Sequence, residues 1–272
     1  MSIERMPRLA AMAIIVAVAA IVTGCSAASG ASSPSSSSST DSASSADAGP
    51  ATITVFAAAS LTGAFDQLAT QFEAEHPSIE VVVNSGGSAA LAQQIIEGAP
   101  ADVFASADEP QMQAVADAGL AADPVVFATN TLELVVPAGN PAGVARLDDL
   151  ANPGLRVALC DPSVPCGAAS VRLLERSSVT ASPDTLESDV KAVLTKVTLG
   201  EVDAALVYRT DAMSAGDEVE VIEVPGATSV VNRYPIAAMT DAAEPEAAAD
   251  FVAFVAGAEG RTVLDAFGFG AP

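Results

Sequence analysis

Residues Ile53–Leu61 read ITVFAAASL, and residues Gly98–Asp108 read GAPADVFASAD. The first is an apolar, β-like run that ends in small residues and a serine, at the point where a helical pattern begins. A strand that delivers a hydroxyl to a helix N-terminus builds a place for an anion, because unpaired backbone N–H groups and the helix dipole converge there. No lysine or arginine occurs between Arg8 and Arg146. An anion held by this half of the chain is therefore held by neutral donors.

Downstream, short apolar strands alternate with amphipathic helices. Strands are expected near 52–58, 79–83, 102–106, 132–136, 156–159, 204–207, 219–223 and 234–239. Helices are expected near 62–75, 88–97, 109–118, 168–177, 189–199, 246–256 and 259–266. In the first helix Leu61, Phe65, Leu68 and Phe72 repeat at helical spacing, with Asp66, Glu73 and Glu75 on other faces. This alternation predicts an α/β fold with largely parallel sheets covered on both faces. No internal repeat is visible.

The N-terminus carries Arg5 and Arg8, then an apolar run over 9–22, then Thr23-Gly24-Cys25. That run is too short to span a bilayer and suits the apolar region of a secretory signal over 1–24. Val22–Cys25 resembles a lipobox, in which Cys25 is lipidated and becomes the new N-terminus; an ordinary signal peptide or short anchor is the alternative. Residues 25–50 are nearly all Ser, Ala, Gly, Pro and Asp. They have too little apolar area to offset ordering entropy, which predicts a disordered tether behind the lipidated cysteine.

The formal charge is −23, and segment 1–24 holds Glu4, Arg5 and Arg8, a net +1, so the chain beyond it carries −24. A surface this acidic excludes nucleic-acid binding and repels anions at long range, so capture of an anion rests on short-range donors. Cys160 and Cys166 flank DPSVP. Outside the cytoplasm a disulfide is their expected state, with a metal or redox C-x5-C site as the alternative.

Five segments in one order, ITVFAAASL, SAALAQQI, GAPADVFASAD, DPSVPCG and LVYRTDA, resemble the extracytoplasmic molybdate-binding proteins of bacterial ABC importers, from about Thr52 to Phe269. The resemblance implies a two-lobed periplasmic-binding-protein fold of the second type with ligand in the interlobe cleft. The chain would cross between lobes near 129–131 and 228–233. Lobe one would be 51–130 plus 232–272, and lobe two 131–231. It implies a monomeric, lipid-anchored binding protein on the outer face of the cell membrane. Such a protein captures molybdate, and tungstate, for ABC permease transmembrane subunits, with no cofactor, no bare metal ion and no catalysis. Another oxyanion such as sulfate or phosphate is the alternative ligand.

Five positions match that family's ligand contacts: Ser60 and Ser88 through hydroxyl and N–H, Cys166 and Val190 through N–H groups at helix starts, and Tyr208 through its phenol. Gly86 and Gly87 are expected to let the backbone turn N–H groups inward. Arg209 is expected to pair with an acid such as Asp211 rather than to reach the cleft. Asp102, Asp108, Asp148 and Asp149 are read as capping or solvated carboxylates. A hydrolase built on Ser60 is excluded by the lack of a G-x-S-x-G elbow and by a single histidine, His76, at a helix end.

Overall fold

The computed structural model describes residues 50–272. The signal segment, Cys25 and the tether as far as residue 49 lie outside the described residues.

The chain runs β1 (Ala51–Ala58), α1 (Thr62–Glu75), β2 (Ile79–Gly86), α2 (Ser88–Ile96), β3 (Val103–Ala105), α3 (Glu109–Asp117) and β4 (Val125–Pro137). It continues through β5 (Val157–Cys160), α4 (Pro165–Arg176), β6 (Thr185–Glu187), α5 (Val190–Thr198), β7 (Ala204–Tyr208), α6 (Arg209–Ala215) and β8 (Val219–Ile222). It ends with β9 (Val231–Ala238), α7 (Pro245–Ala256) and α8 (Ala258–Ala266). A single 3-10 turn, Ala59–Leu61, joins β1 to α1.

The strands line up in the order β2-β1-β3-β9-β4-β7-β5-β6, with β8 also on β4. Parallel pairing is confined to β1 with β2 and β3, and to β5 with β6 and β7. Every pair made by β4, and the β3–β9 pair, is antiparallel. The expectation of largely parallel sheets is thus corrected: the two outer parts are parallel, and the strands that connect them are not.

β4 is the reason. Its first half, as far as Thr131, pairs with β9, and its second half, from Leu132, pairs with β7 and β8. One strand carries the chain out of one sheet into the next, and β9 brings it back alongside, with Asn130 opposite Asn232 and Thr131 opposite Val231. The apolar core divides accordingly. One cluster draws on residues from Leu132 to Val230. A small one packs Phe56 and Phe104 with Leu91, Ile95, Met112 and Val115 of α2 and α3. The last draws on residues from Ile53 to Ala128 and again from Tyr234 to Phe269. In the latter, Leu61, Phe65, Leu68 and Phe72 are fully buried, as their helical spacing predicts. Phe65 and Phe72 each meet Phe251 edge to face, at centroid distances of 6.2 and 5.2 Å.

Two elements escape the sequence reading. β6 is three residues long and half exposed, so it shows no apolar alternation. α6 starts directly at the end of β7, with Tyr208 as its N-cap. Arg209 therefore does not alternate away along a strand, and Asp211 does not pair with it. Asp211 is buried and meets Lys191 Nζ at 3.1 Å. Asp108 caps α3 as read, whereas Asp102 is neither a helix cap nor solvated: it is buried and accepts from the N–H groups of Thr54 and Ala243, each at 2.7 Å. Asp149 accepts from the N–H groups of Ala145 and Arg146.

Cys160 and Cys166 are joined by a disulfide, with Cα atoms 5.7 Å apart. The next residue has to be glycine, because a Cβ at Gly167 would lie 1.8 Å from the Asp161 carbonyl oxygen. The bridge closes a loop of sequence separation 6, for which the chain-entropy relation gives about 2 kcal/mol. Replacing both cysteines by serine is expected to lower unfolding free energy in urea by about that amount; an unchanged midpoint would refute the assignment.

Burial raises the Asp211 carboxyl to about 6 from 3.8, opposed by Lys191 and reinforced by Asp189. Its protonated form favours the fold, so this contribution is complete below about pH 3.8 and is lost as pH rises through about 6. Asp211→Asn keeps the neutral form throughout. Relative to wild type it is expected to gain up to about 3 kcal/mol between pH 4 and 7. Urea melts at those two pH values check this, and a constant difference between the proteins would contradict it.

Candidate functional site

Two strand ends and three helix starts meet at one point. β1 ends in the 3-10 turn holding Ser60, and β7 ends at Tyr208. α2 starts at Ser88, α4 at Pro165 and α5 at Val190. They enclose a cavity lined by Ala58, Ala59, Ser60, Gly87, Ser88, Ala107, Val164, Pro165, Cys166, Ser188, Asp189, Val190 and Tyr208. All five sequence-predicted positions, Ser60, Ser88, Cys166, Val190 and Tyr208, lie on its wall. The cavity measures about 20 Å³, the volume of a ball of about 1.7 Å radius, where one water needs roughly 10–15 Å³ by the same measure. That is the scale of the oxygen shell of one tetrahedral anion, and too small for an amino acid or a sugar.

The helix starts supply donors. The first N–H groups of a helix have no partner within it. α2 and α4 have no side-chain cap, so the N–H groups of Ser88 and Cys166 are left for the cavity. At α5 the Asp189 carboxylate caps Ala192 N–H at 3.0 Å, which leaves Val190 N–H free. Ser88 is the first residue of α2, as expected, with Gly87 as its N-cap, and Cys166 is inside the first turn of α4 rather than before it. Gly87 adopts an ordinary backbone, φ −62°. Its lack of a side chain matters for another reason: a Cβ there would lie 2.7 Å from the Ser188 carbonyl oxygen, across the cavity rim.

The hydroxyls are set as donors too. A hydroxyl oxygen that already accepts a hydrogen bond turns its proton elsewhere. Ser88 Oγ accepts from Ala107 N–H at 3.0 Å, which frees its proton for the cavity. Tyr208 oxygen accepts from Asn232 Nδ2 at 2.7 Å, with the same effect. Ser60 Oγ lies 3.1 Å from the Tyr234 hydroxyl, which itself receives Asn130 Nδ2 at 3.4 Å. In the arrangement that satisfies this chain, Asn130 donates to Tyr234, Tyr234 to Ser60, and Ser60 into the cavity. Burial pushes both phenols well above their ordinary range, so each keeps its proton at any physiological pH.

No lysine or arginine lines this cavity, and its one carboxylate, Asp189, is engaged as the cap of α5. The described residues hold no cluster of His, Cys, Asp and Glu that would bind a metal cation. His76 caps the end of α1 and stacks on Phe72 at 4.2 Å between centroids, far in role from Ser60. The arrangement can solvate one compact anion with neutral dipoles, and it offers no base to activate a nucleophile.

Sequence reasoning missed Asn130, Asn232, Tyr234 and the wall residue Asp189. A signal for the first three existed. Asparagine is unfavourable inside strands, yet Asn130 and Asn232 sit within β4 and β9, both buried. Asn232 and Tyr234 are two apart on β9 and so share a face.

The chain matches the family described as bacterial extracellular solute-binding protein over residues 53–270. It is 47% identical over 225 residues to the molybdate-binding protein ModA of Mycobacterium tuberculosis, which covers 82% of this chain and 86% of the relative. Its fold matches the periplasmic molybdate-binding protein of Azotobacter vinelandii with TM-score 0.71 at 23% identity, covering 81% of this chain and 99% of that one. It also matches the sulfate-binding protein SubI of Mycobacterium tuberculosis with TM-score 0.70 at 21% identity, covering 80% and 86%. With its two-lobed α/β fold, and a donor-lined cavity where the lobes meet, this chain belongs to the bacterial extracellular solute-binding proteins.

Proposed function

We propose that this protein captures molybdate, and tungstate with it, in the cavity between its lobes and hands it to an ABC permease. The observation that carries the reading is the donor alignment. The Ser88 and Tyr208 oxygens are loaded from behind, Ser60 lies within hydrogen-bond reach of the Tyr234 hydroxyl, and the helix starts bring the N–H groups of Ser88, Cys166 and Val190 to the same small space. A fully deprotonated tetrahedral dianion needs donors on every side and no acceptor. Phosphate carries a proton at neutral pH and would need an acceptor. Sulfate carries none, so it is the anion that the titration must separate from molybdate. Identity to the molybdate-binding ModA supports the choice.

In this reading Ser60, Ser88, Cys166, Val190 and Tyr208 are the ligand contacts. Lobe one is 51–130 plus 232–272 and lobe two is 131–231. The β4–β9 crossing is the hinge about which the lobes close, and the closed form is what the permease subunits bind. Cys25 carries the lipid that holds the protein, as a monomer, at the outer face of the cell membrane, and residues up to 50 form the tether.

Calorimetric titration with molybdate, tungstate, sulfate and phosphate is the direct test. One-to-one binding of the first two, with little heat from the others, is the expected result; preference for sulfate or phosphate would reassign the ligand. Ser60→Ala, Ser88→Ala and Tyr208→Phe are each expected to cost about 1.5–3 kcal/mol of affinity, the worth of a hydrogen bond to a charged group. Wild-type affinity in all three would move the site elsewhere. Replacing Cys25 by serine is expected to release the protein from the membrane fraction, and retention there would rule out lipidation as the anchor.

A further inference from the structure

Arg172, on α4, is one of 11 basic residues in a chain of net charge −23. It does not line the cavity, yet its Nη2 donates to Asn232 Oδ1 at 2.7 Å. A guanidinium has only donors, so the amide atom facing it must be the oxygen. The amide nitrogen is thereby turned the other way. There it meets the Tyr208 oxygen at 2.7 Å and the Ala107 carbonyl at 3.1 Å, with the Pro165 carbonyl at 3.5 Å. Ala107 belongs to the core around β1 and β3, and Tyr208 to the core around β5 and β7. One amide thus ties the two walls of the cavity together, and one guanidinium decides which way that amide points.

We propose that Arg172 is a positioning residue for the ligand, acting through Asn232 and Tyr208. Resting on the reading of the cavity as an oxyanion site, the inference adds the element that fixes the direction of one of its donors. Were Asn232 reversed, its oxygen would face Tyr208 and the Ala107 carbonyl. The phenol would then give its proton to the amide, and two carbonyl-type oxygens would face each other. Arg172 removes that alternative by occupying the only atom that could invite it. A positive charge also sits at the far end of the relay, where it polarises the Asn232 and Tyr208 N–H and O–H bonds toward the anion without touching it.

The competing explanation is that any arginine near an anion site helps by its field. The two separate cleanly, because a field acts whether or not Tyr208 has a hydroxyl, and a relay does not. The test is a double-mutant cycle of Arg172→Met and Tyr208→Phe on the intact protein. Molybdate titrations are run to millimolar concentration and repeated from 50 to 500 mM salt. Arg172→Met is expected to weaken binding about tenfold, the lower end of the range for outer hydrogen-bond partners. In the Tyr208→Phe background it is expected to cost nothing further. The wild-type to Arg172→Met ratio is expected to hold across the salt series, since direct hydrogen bonds are not screened as a distant charge is. An unchanged affinity in Arg172→Met, equal losses in both backgrounds, or a ratio that falls toward one with salt would each overturn the proposal. Wild-type affinity in Tyr208→Phe would remove Tyr208 from the ligand contacts and overturn the proposal, whereas failure of the wild-type protein to bind molybdate would overturn the reading of the cavity itself. Both substituted proteins are checked for unchanged melting without ligand, and Arg172→Lys, which keeps charge but not the fork, is expected to recover only part of the loss.

Discussion

A hydroxyl offers its proton to a ligand dependably only when something else donates to its oxygen, and much of this molecule serves that condition. Ser88 is loaded by a backbone N–H, Tyr208 by Asn232, and Ser60 by Tyr234 in turn. Two of the loading groups, Asn232 and Tyr234, are buried side chains of β9 and the third is the Ala107 N–H just after β3, so the cavity is correct only when β9 and the end of β3 are in register with the elements that carry the hydroxyls. Neutral donors impose this requirement more strictly than a cation would. A lysine attracts an anion from many positions, whereas a dipole that points the wrong way repels it.

The acidity of the chain fits the same logic. With a net charge of −23 and no cation on the cavity wall, long-range attraction contributes nothing to capture. What remains is desolvation of the anion against a set of dipoles already oriented by their neighbours. Such a site asks little further ordering of its side chains, because Ser60, Ser88 and Tyr208 are each held by a hydrogen bond from behind.

Most of the fold was legible in the sequence because it is written in period. The helices carry Leu61, Phe65, Leu68 and Phe72 at helical spacing, and the strands are short apolar runs between small residues. The wall positions were legible for a different reason: the order of five segments resembles a known family, and Ser60 or Ser88 alone would have read as ordinary caps. What escaped was what lies behind the wall. Asn130, Asn232 and Tyr234 act across sequence separations of 24 to 174 residues, and no local pattern carries such information. α6 escaped because a helix that begins on the last residue of a strand leaves no turn residues to announce it. The resemblance gave crossings near 129–131 and 228–233, but the antiparallel pairing of β4 with β9 escaped, because a strand shared by two sheets looks, in sequence, like any other long apolar run.

That crossing has a consequence for how the chain assembles. The second core is built from one uninterrupted segment whose ends, Thr131 and Val231, lie opposite each other in the sheet. The first core is not. Phe65 and Phe72 find their partner Phe251 only near the end of the chain, and Tyr234 and Phe269 complete the same cluster. A chain delivered from its N-terminus can therefore finish its middle before its beginning, and the earlier-made strands β1 to β3 must wait for the last α-helical hairpin before their apolar face is covered. The slowest and most aggregation-exposed part of such a molecule is the half that emerges first.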